Sequence, residues 1–310
     1  MNICVTGGAG FIGSHLTDRL IEEGHRVLVI DNLFTGSREF VNAKADFREM
    51  DIRDTALTEV LLAFKPDYVF HEAAQTMVPV SMEKPALDCD INLMGLINVL
   101  NACRAAHVKK LIMPSSAAVY GDLDTLPLTE AMQGAPSSFY GLTKLTTESY
   151  LRKYKEAFGL DYICFRYSNV YGPRQGHGGE GGVISIFCER LAKGQGVTVY
   201  GDGEQTRDFI YVGDVVEANM LALQHTERSG VYNVSTEVGT SLNTLLNELK
   251  DIIGTDIDVT YEPTRTGDIK HSRLSIKKSN DNLGFRAKID LTSGLKTTYH
   301  YFADMENFDM

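Results

Sequence analysis

A tyrosine and a lysine four residues apart, Tyr140-Gly-Leu-Thr-Lys144, are the side chains best suited to acid–base chemistry in this sequence. On a helix that spacing puts phenol and ammonium on one face. An unperturbed tyrosine, with a pKa near ~10, is roughly one-thousandth ionised at pH 7. A lysine held close favours the phenolate and makes the tyrosine a usable proton acceptor near neutrality. Alone, such a pair is an ordinary feature of a helix surface. Ser115-Ser116 changes its weight, because it follows an apolar run at residues 110–113 that reads as a parallel strand. Active groups gather at the carboxyl ends of such strands, and Ser116 could hydrogen-bond the same substrate hydroxyl as Tyr140.

The first residues of the chain indicate what would work with them. Ile3-Cys4-Val5 reads as a buried strand, Gly7, Gly8, Gly10 and Gly13 follow, and Phe11, Ile12, Leu16 and Leu20 form the apolar stripe of a helix. A strand that turns through glycines into a helix aims backbone N–H groups and a positive helix end at one point, which suits a pyrophosphate. Gly8-x-Gly10-x-x-Gly13 fits the dinucleotide fingerprint, and Gly7-x-x-Gly10-x-x-Gly13 fits its short-chain-dehydrogenase variant. Asp31-Asn32 ends a second strand, residues 26–30, eighteen residues past Gly13. An acidic residue there accepts both hydroxyls of an adenosine ribose and repels a 2′-phosphate, which selects NAD over NADP.

These groups require a scaffold of alternating strands and helices. Short, near-continuous apolar runs at 47–50, 68–70, 110–113 and 162–166 continue the strands, as expected for a parallel sheet covered on both faces. Residues 92–104 and 138–158 read as long helices. The expected fold class is α/β: a Rossmann-like, doubly wound parallel sheet over 1–172, followed by a smaller mixed α/β substrate-binding domain over 173–310. Gly172-Pro173 and the glycine-rich run 177–182 mark the boundary. A segment around 207–223 could pack back onto the first part. The net charge of −11 disfavours nucleic acid and anionic membrane surfaces as partners. No apolar run approaches the ~20 residues of a membrane span, and no leader is expected ahead of the first strand. The five cysteines (Cys4, Cys89, Cys103, Cys164, Cys188) form no Cys-x-x-Cys pair and read as reduced core residues of a cytoplasmic protein. The scattered histidines predict no metal site.

The glycine loop, Asp31, Ser116 and Tyr140-x-x-x-Lys144 together resemble the extended short-chain dehydrogenase/reductase family. Within it the chain is most similar to NAD-dependent nucleotide-sugar epimerases of the UDP-glucose 4-epimerase type. The likeness runs through His71-Glu-Ala-Ala-Gln75, Val78-Pro-Val-Ser81, Ser115-Ser-Ala-Ala-Val-Tyr-Gly121, Arg166-Tyr-Ser-Asn-Val-Tyr-Gly-Pro-Arg-Gln175, the stretch 201–212 and Arg265-Thr-Gly-Asp268. The resemblance implies that Tyr140 is the acid/base at the sugar 4-hydroxyl, that Ser116 assists it, and that Lys144 holds the nicotinamide ribose and tunes Tyr140. It implies NAD contacts from Gly7, Gly10, Phe11 and Ile12 at the pyrophosphate, Asp31 and Asn32 at the ribose, and Asp51 and Ile52 at the adenine. Ala73, Ala74, Gln75 and Asn92 would complete the cofactor wall. Asn169, Arg207 and Arg265 would hold the UDP diphosphate, Tyr200 would flank the uracil, and Asp268 would take the uridine ribose. A homodimer built through helices 92–104 and 138–158 is also implied.

Departures from relatives narrow the expected reaction. Dehydratases and decarboxylases of the family carry acidic residues where this chain has Ala117-Ala118, and 3,5-epimerases carry a cysteine in that stretch. Gly176 replaces the arginine that meets a sugar carboxylate in UDP-glucuronate epimerases, and Asn169 replaces a threonine. Ser272 stands where 4-epimerases restricted to unacetylated sugars carry a tyrosine, so acetylated UDP-hexosamines are expected to fit beside UDP-glucose and UDP-galactose. Pro114 stands where many relatives have a serine or threonine. The competing expectations are another nucleotide-sugar oxidoreductase or dehydratase of the family, and a silent NAD-binding sensor.

Overall fold

The computed structural model describes residues 1–176, 181–264 and 269–308. Its centre is a seven-stranded parallel sheet. The strands are β1 (Asn2–Thr6), β2 (Arg26–Asp31), β3 (Asp46–Glu49), β4 (Tyr68–His71), β5 (Lys110–Ser116), β6 (Asp161–Tyr167) and, after four short strands, β11 (Gly230–Val234). Their order in space is β11-β6-β5-β4-β1-β2-β3. The order reverses between β1 and β4, and at such a reversal the loops on either side diverge and leave a crevice at the carboxyl ends.

Side chains alternate across the sheet. Ile3, Val5, Val29, Phe70, Ile112 and Phe165 enter one apolar layer, and Cys4, Leu28, Val69, Leu111 and Cys164 the other. Because both faces are buried, the strands read as continuous apolar runs. Helix α1 (Phe11–Glu22) lays Leu16 and Leu20 on the first layer. Helices α2 (Leu57–Phe64), α5 (Gly95–Ala105) and α6 (Phe139–Phe158) cover the second through Leu57, Leu61, Leu96, Val99 and Leu151. Short helices α3 (Val78–Glu83) and α4 (Pro85–Cys89) lead into a π-helical turn, Asp90–Met94, ahead of α5. The helix expected over 92–104 is therefore wound in two ways, with Asn92 in the π turn.

The rest of the chain adds α7 (Val183–Ala192), β8 (Val197–Tyr200), α9 (Leu242–Ile253), β13 (Val259–Glu262) and α11 (Leu291–Phe308) around a separate apolar cluster. Between them lie β7 (Asn169–Tyr171), β9 (Thr206–Arg207), β10 (Phe209–Tyr211), α8 (Val212–Gln224), β12 (Thr240–Ser241) and α10 (Lys277–Leu283). Helix α8 packs against α1, and Val215, Tyr232, Val234 and Phe285 share the first apolar layer with Ile3 and Leu16. That layer is thus built from both sides of residue 172. Four cysteines are buried free thiols, but Cys89, expected in the core, is exposed at the end of α4. Among the described residues no helix is long and apolar enough to cross a membrane, and no group of His, Cys, Asp and Glu could hold a metal ion.

Candidate active site

The glycine loop is shaped by close backbone contacts. Gly7 has φ +73°, a conformation that side chains disfavour, and a Cβ there would lie 2.5 Å from the Ala73 nitrogen. A Cβ on Gly13 would lie 2.2 Å from the Gly7 oxygen, so this glycine sets how closely α1 meets β1. Gly10 differs, since its Cβ would meet only the Gly7 oxygen, at 3.3 Å. Helix α1 begins with no capping side chain and no acidic residue in its first turn. The N–H groups of Phe11 and Ile12 therefore belong to an open positive end, the arrangement an anion needs. This cradle fits the pyrophosphate of a dinucleotide.

Asp31 stands beside it at the end of β2. Its Oδ2 accepts from the Ala9 nitrogen at 2.9 Å and its Oδ1 from the Leu33 nitrogen at 2.8 Å. Each oxygen keeps a lone pair for a ribose hydroxyl. Burial pushes this carboxyl above its ordinary range. Asn32 donates to Asp51 Oδ2 at 2.9 Å, and Arg53 grips both oxygens of Asp51 at 2.8 and 2.7 Å. The Arg53 hydrogen bonds hold the Asp51 carboxyl down at about 2. The Ile52 side chain is buried against Gly95, where a Cβ would meet Ile52 Cδ1 at 2.6 Å, and its carbonyl accepts from Asn98.

Strand β5 presents two serines with different roles. Ser115 Oγ donates to Glu148 Oε1 at 2.6 Å, inside a buried ion pair in which Arg166 reaches both Glu148 oxygens at 2.9 and 2.7 Å. Ser116 is half-buried and accepts from the Ala118 nitrogen at 3.1 Å, which starts a 3-10 turn over Ala117–Val119. Its hydroxyl proton remains available to a substrate oxygen. Helix α6 begins on that turn. Ser138 caps it by accepting from the Gly141 nitrogen at 3.1 Å, and a Cβ on Gly141 would lie 2.5 Å from the Ala118 oxygen. Tyr140 is thereby brought next to the turn that follows Ser116. One helical turn later, buried Lys144 donates to the Pro114 oxygen at 3.1 Å, and its Nζ lies 5.9 Å from the centre of the Tyr140 ring. Burial lowers the Lys144 pKa, while the Glu72 and Asp88 carboxylates oppose the shift. Pro114 costs no catalytic group, and its carbonyl is the anchor for Lys144.

Gln75 and Asn92 build the wall from behind. Asn92 Oδ1 accepts from the Gln75 nitrogen at 2.8 Å and its Nδ2 donates to the Gln75 oxygen at 3.0 Å. Both side chains also reach Asp88, a residue with no signal of its own in the sequence. Ala73 and Ala74 follow β4 with partial exposure, next to Gly7.

Of the residues expected at a sugar nucleotide, Asn169, Arg207 and Ser272 lie close together along the backbone around Asp208. The Asn169 nitrogen donates to the Asp208 oxygen, and the Ser272 nitrogen donates to the oxygen of Thr206, the neighbour of Arg207 in β9. Arg207 Nη1 donates to the Thr206 oxygen at 3.0 Å. Asn169 is exposed and Ser272 is buried. Tyr200 ends β8, its carbonyl accepting from Gln205 at 2.6 Å. Arg265 and Asp268 lie outside the described residues.

Fold and site together define a dinucleotide-dependent enzyme of the tyrosine–lysine type. Residues 3–235 match the NAD dependent epimerase/dehydratase family, and the chain belongs to that family. Many solved structures are similar over nearly its whole length. A UDP-glucose 4-epimerase with UDP-glucose from Thermotoga maritima is 43% identical, with TM-score 0.95 over 99% of this chain and 100% of that one. A UDP-glucose 4-epimerase complex with NAD from Thermus thermophilus is 41% identical, with TM-score 0.91 over 97% and 99%. A UDP-N-acetylglucosamine 4-epimerase from Methanobrevibacter ruminantium, in complex with UDP-N-acetylmuramic acid, is 38% identical, with TM-score 0.93 over 98% of each chain.

Proposed function

We infer that the protein is an NAD-dependent UDP-sugar 4-epimerase acting on UDP-glucose and UDP-galactose. The observation that carries this is the packing of the α6 turn bearing Tyr140 and Lys144 onto the strand end bearing Ser116, beside the open glycine loop. Gly7, Gly10, Phe11 and Ile12 would hold the NAD pyrophosphate, Asp31 and Asn32 its ribose, and Asp51 and Ile52 would flank the adenine. Bound there, NAD would supply the redox chemistry, as acceptor and then donor of the hydride at sugar C4. Tyr140 takes the proton of the 4-hydroxyl and later returns it. Ser116 donates to the same oxygen and fixes its direction. Lys144 holds positive charge near the phenol, which favours its deprotonated form. Ala117 and Ala118 offer no acid for a leaving hydroxyl, which weighs against dehydration. Residues 173–310, together with Asn169 just before them, are proposed to supply the sugar-nucleotide side, with Asn169, Arg207 and Arg265 on the diphosphate, Tyr200 at the uracil and Asp268 at the uridine ribose.

Proton NMR of UDP-galactose mixed with the protein, with no added cofactor, tests this reading. Conversion to UDP-glucose without accumulation of reduced cofactor is expected. A released 4-keto-6-deoxy sugar would make the protein a dehydratase, and no turnover of any sugar nucleotide would make it a sensor. Ser272 is proposed to leave room for a 2-acetamido group. Replacing it by tyrosine should then lower turnover of acetylated relative to unacetylated substrate, and an unchanged ratio would remove Ser272 from that role.

The protein is further proposed to act as a cytoplasmic homodimer. Exposed Met82, Leu87, Met94, Leu142 and Tyr150 lie on α3, α4, the π turn and α6, elements that pack on one another and leave an apolar surface for a second copy. Sedimentation equilibrium should give twice the chain mass, and Leu142→Glu should shift it towards the monomer.

A further inference from the structure

Asp88 is completely buried on α4. It accepts hydrogen bonds from Gln75 Nε2 at 2.7 Å, Thr143 Oγ1 at 2.8 Å and Asn92 Nδ2 at 3.1 Å. All three donors are neutral. A carboxylate in such a place needs a positive charge nearby to offset its loss of water. The adjacent cation is Lys144, the residue after Thr143, itself only 3% exposed. Its ammonium spends one N–H on the Pro114 oxygen, and an ammonium has three to give. Asp88 is thus bonded to Thr143, the chain neighbour of Lys144, forms no ion pair with Lys144 itself, and acts on it through its charge. A direct ion pair would have tied up the N–H groups that the reaction needs.

We propose that Asp88 is a positioning residue for the reaction: held by Gln75, Asn92 and Thr143, it locks the first turn of α6 to the cofactor wall and supplies the negative charge that balances the Lys144 ammonium. This rests on the epimerase reading above. The other groups facing Lys144 are His71 and Glu72 from the end of β4, Cys164 from β6 and Tyr140 from its own helix. His71 is buried, hydrogen-bonded to Thr6, and lowered by burial to about 3, so it is neutral. Burial pushes the Cys164 thiol up, which keeps it neutral as well. Glu72 is raised by burial to about 7. Above about pH 7 ionised Glu72 shares the task of balancing Lys144; removing the Asp88 charge should still let Lys144 lose its proton at lower pH, and the phenolate of Tyr140 would lose part of its support on the alkaline side.

The test compares wild type, Asp88→Asn, Asp88→Glu and Thr143→Val, measuring kcat and KM for UDP-galactose from about pH 6 to 10, with NAD content as purified. Asp88→Asn should lower kcat about tenfold or more, leave KM within about threefold, and move the alkaline limb down by about one pH unit. Asp88→Glu should restore that limb in part. Thr143→Val, which removes a hydrogen bond and no charge, should lower kcat without moving the limb. An Asp88→Asn profile that overlays wild type, or a fall in kcat with an unmoved alkaline limb, overturns the inference. Should Asp88→Asn fail to fold, Thr143→Val decides, and an unchanged kcat there overturns it. Wild-type protein without epimerase activity overturns the functional reading and this inference with it. Wild-type activity with an unaltered Asp88→Asn overturns this inference alone.

Discussion

Gly10 and Gly13 belong to one motif, yet the structure gives them opposite tolerances. A Cβ on Gly13 would run into backbone at 2.2 Å, whereas one on Gly10 would meet only the Gly7 oxygen at 3.3 Å. Gly10→Val should give folded protein that purifies without NAD and has no epimerase activity, read by absorbance of the released cofactor and by circular dichroism. Gly13→Val should instead cost about 2 kcal/mol or more of stability, because overpacked backbone contacts force the helix off the strand. Glu72 offers a pH test. Its Oε1 is buried without a hydrogen-bond partner, and burial raises the carboxyl from 4.5 to about 7. A folded-state pKa above the unfolded one contributes stability that is complete below the unfolded value and lost as pH rises through the folded one. The melting temperature of wild type should therefore fall relative to that of Glu72→Gln between pH 4.5 and about 7. Parallel curves would show that Glu72 does not titrate there. Asp88 and Glu72 were not read as site residues from sequence, since a lone acidic residue in an apolar run has no local signature. The spacing of Asp88 and Asn92 was the available signal, four residues apart on a helix.

At the scale of elements, the start of α6 sets where Tyr140 and Lys144 sit relative to Ser116. Ser138 caps it, Gly141 seats it on the Ala118 oxygen, and Lys144 ties it to Pro114. Gly141→Ala should push this turn away from the strand end that carries Ser116. We expect kcat to fall by about two orders of magnitude, since misplacement of catalytic groups by about 1 Å costs that much. Far-UV circular dichroism should be retained, and steady-state kinetics on UDP-galactose would check the outcome. The long helix over 138–158 was legible from its length and periodicity, and the structure forms it over Phe139–Phe158. The π turn at Asp90–Met94 was not legible, because a single turn of wider winding leaves no periodic pattern; in the structure its Asn92 is bonded to Gln75 and Asp88. The two- and three-residue strands β7, β9, β10 and β12 are likewise too short to carry a pattern.

At the scale of the molecule, the sheet is completed from the second half of the chain. β11 pairs with β6 from Gly230↔Ile163 to Val234↔Tyr167, and α8 covers the layer that holds Phe165. Residues 1–172 alone would leave that edge unpaired and that layer exposed to water. Expressed by itself, this fragment should aggregate or bind a hydrophobic dye strongly, whereas a monomeric, cooperatively melting fragment would show that the shared layer is dispensable. The tie between Arg174 and Asp18, at 2.8 Å, and the contact of His15 with the Pro173 oxygen join the segment after β7 to α1, beside the glycine loop.

The amino-acid order by itself determined the doubly wound sheet, the glycine cradle, Asp31, and the pairing of Tyr140 with Lys144, because each depends on neighbours within a few turns or on strands that are apolar throughout. Folding decided which of two adjacent serines keeps its hydroxyl free of a buried ion pair, since Ser115 is bound to Glu148, itself paired with Arg166, residues the chain brings from 33 and 51 positions away. It decided that an aspartate on α4 is bonded to Gln75, Asn92 and, on α6, Thr143. It decided too that residues beyond 172 finish the sheet holding the site. Buried charges find their partners across space, where the separation of residues along the chain carries no information about distance.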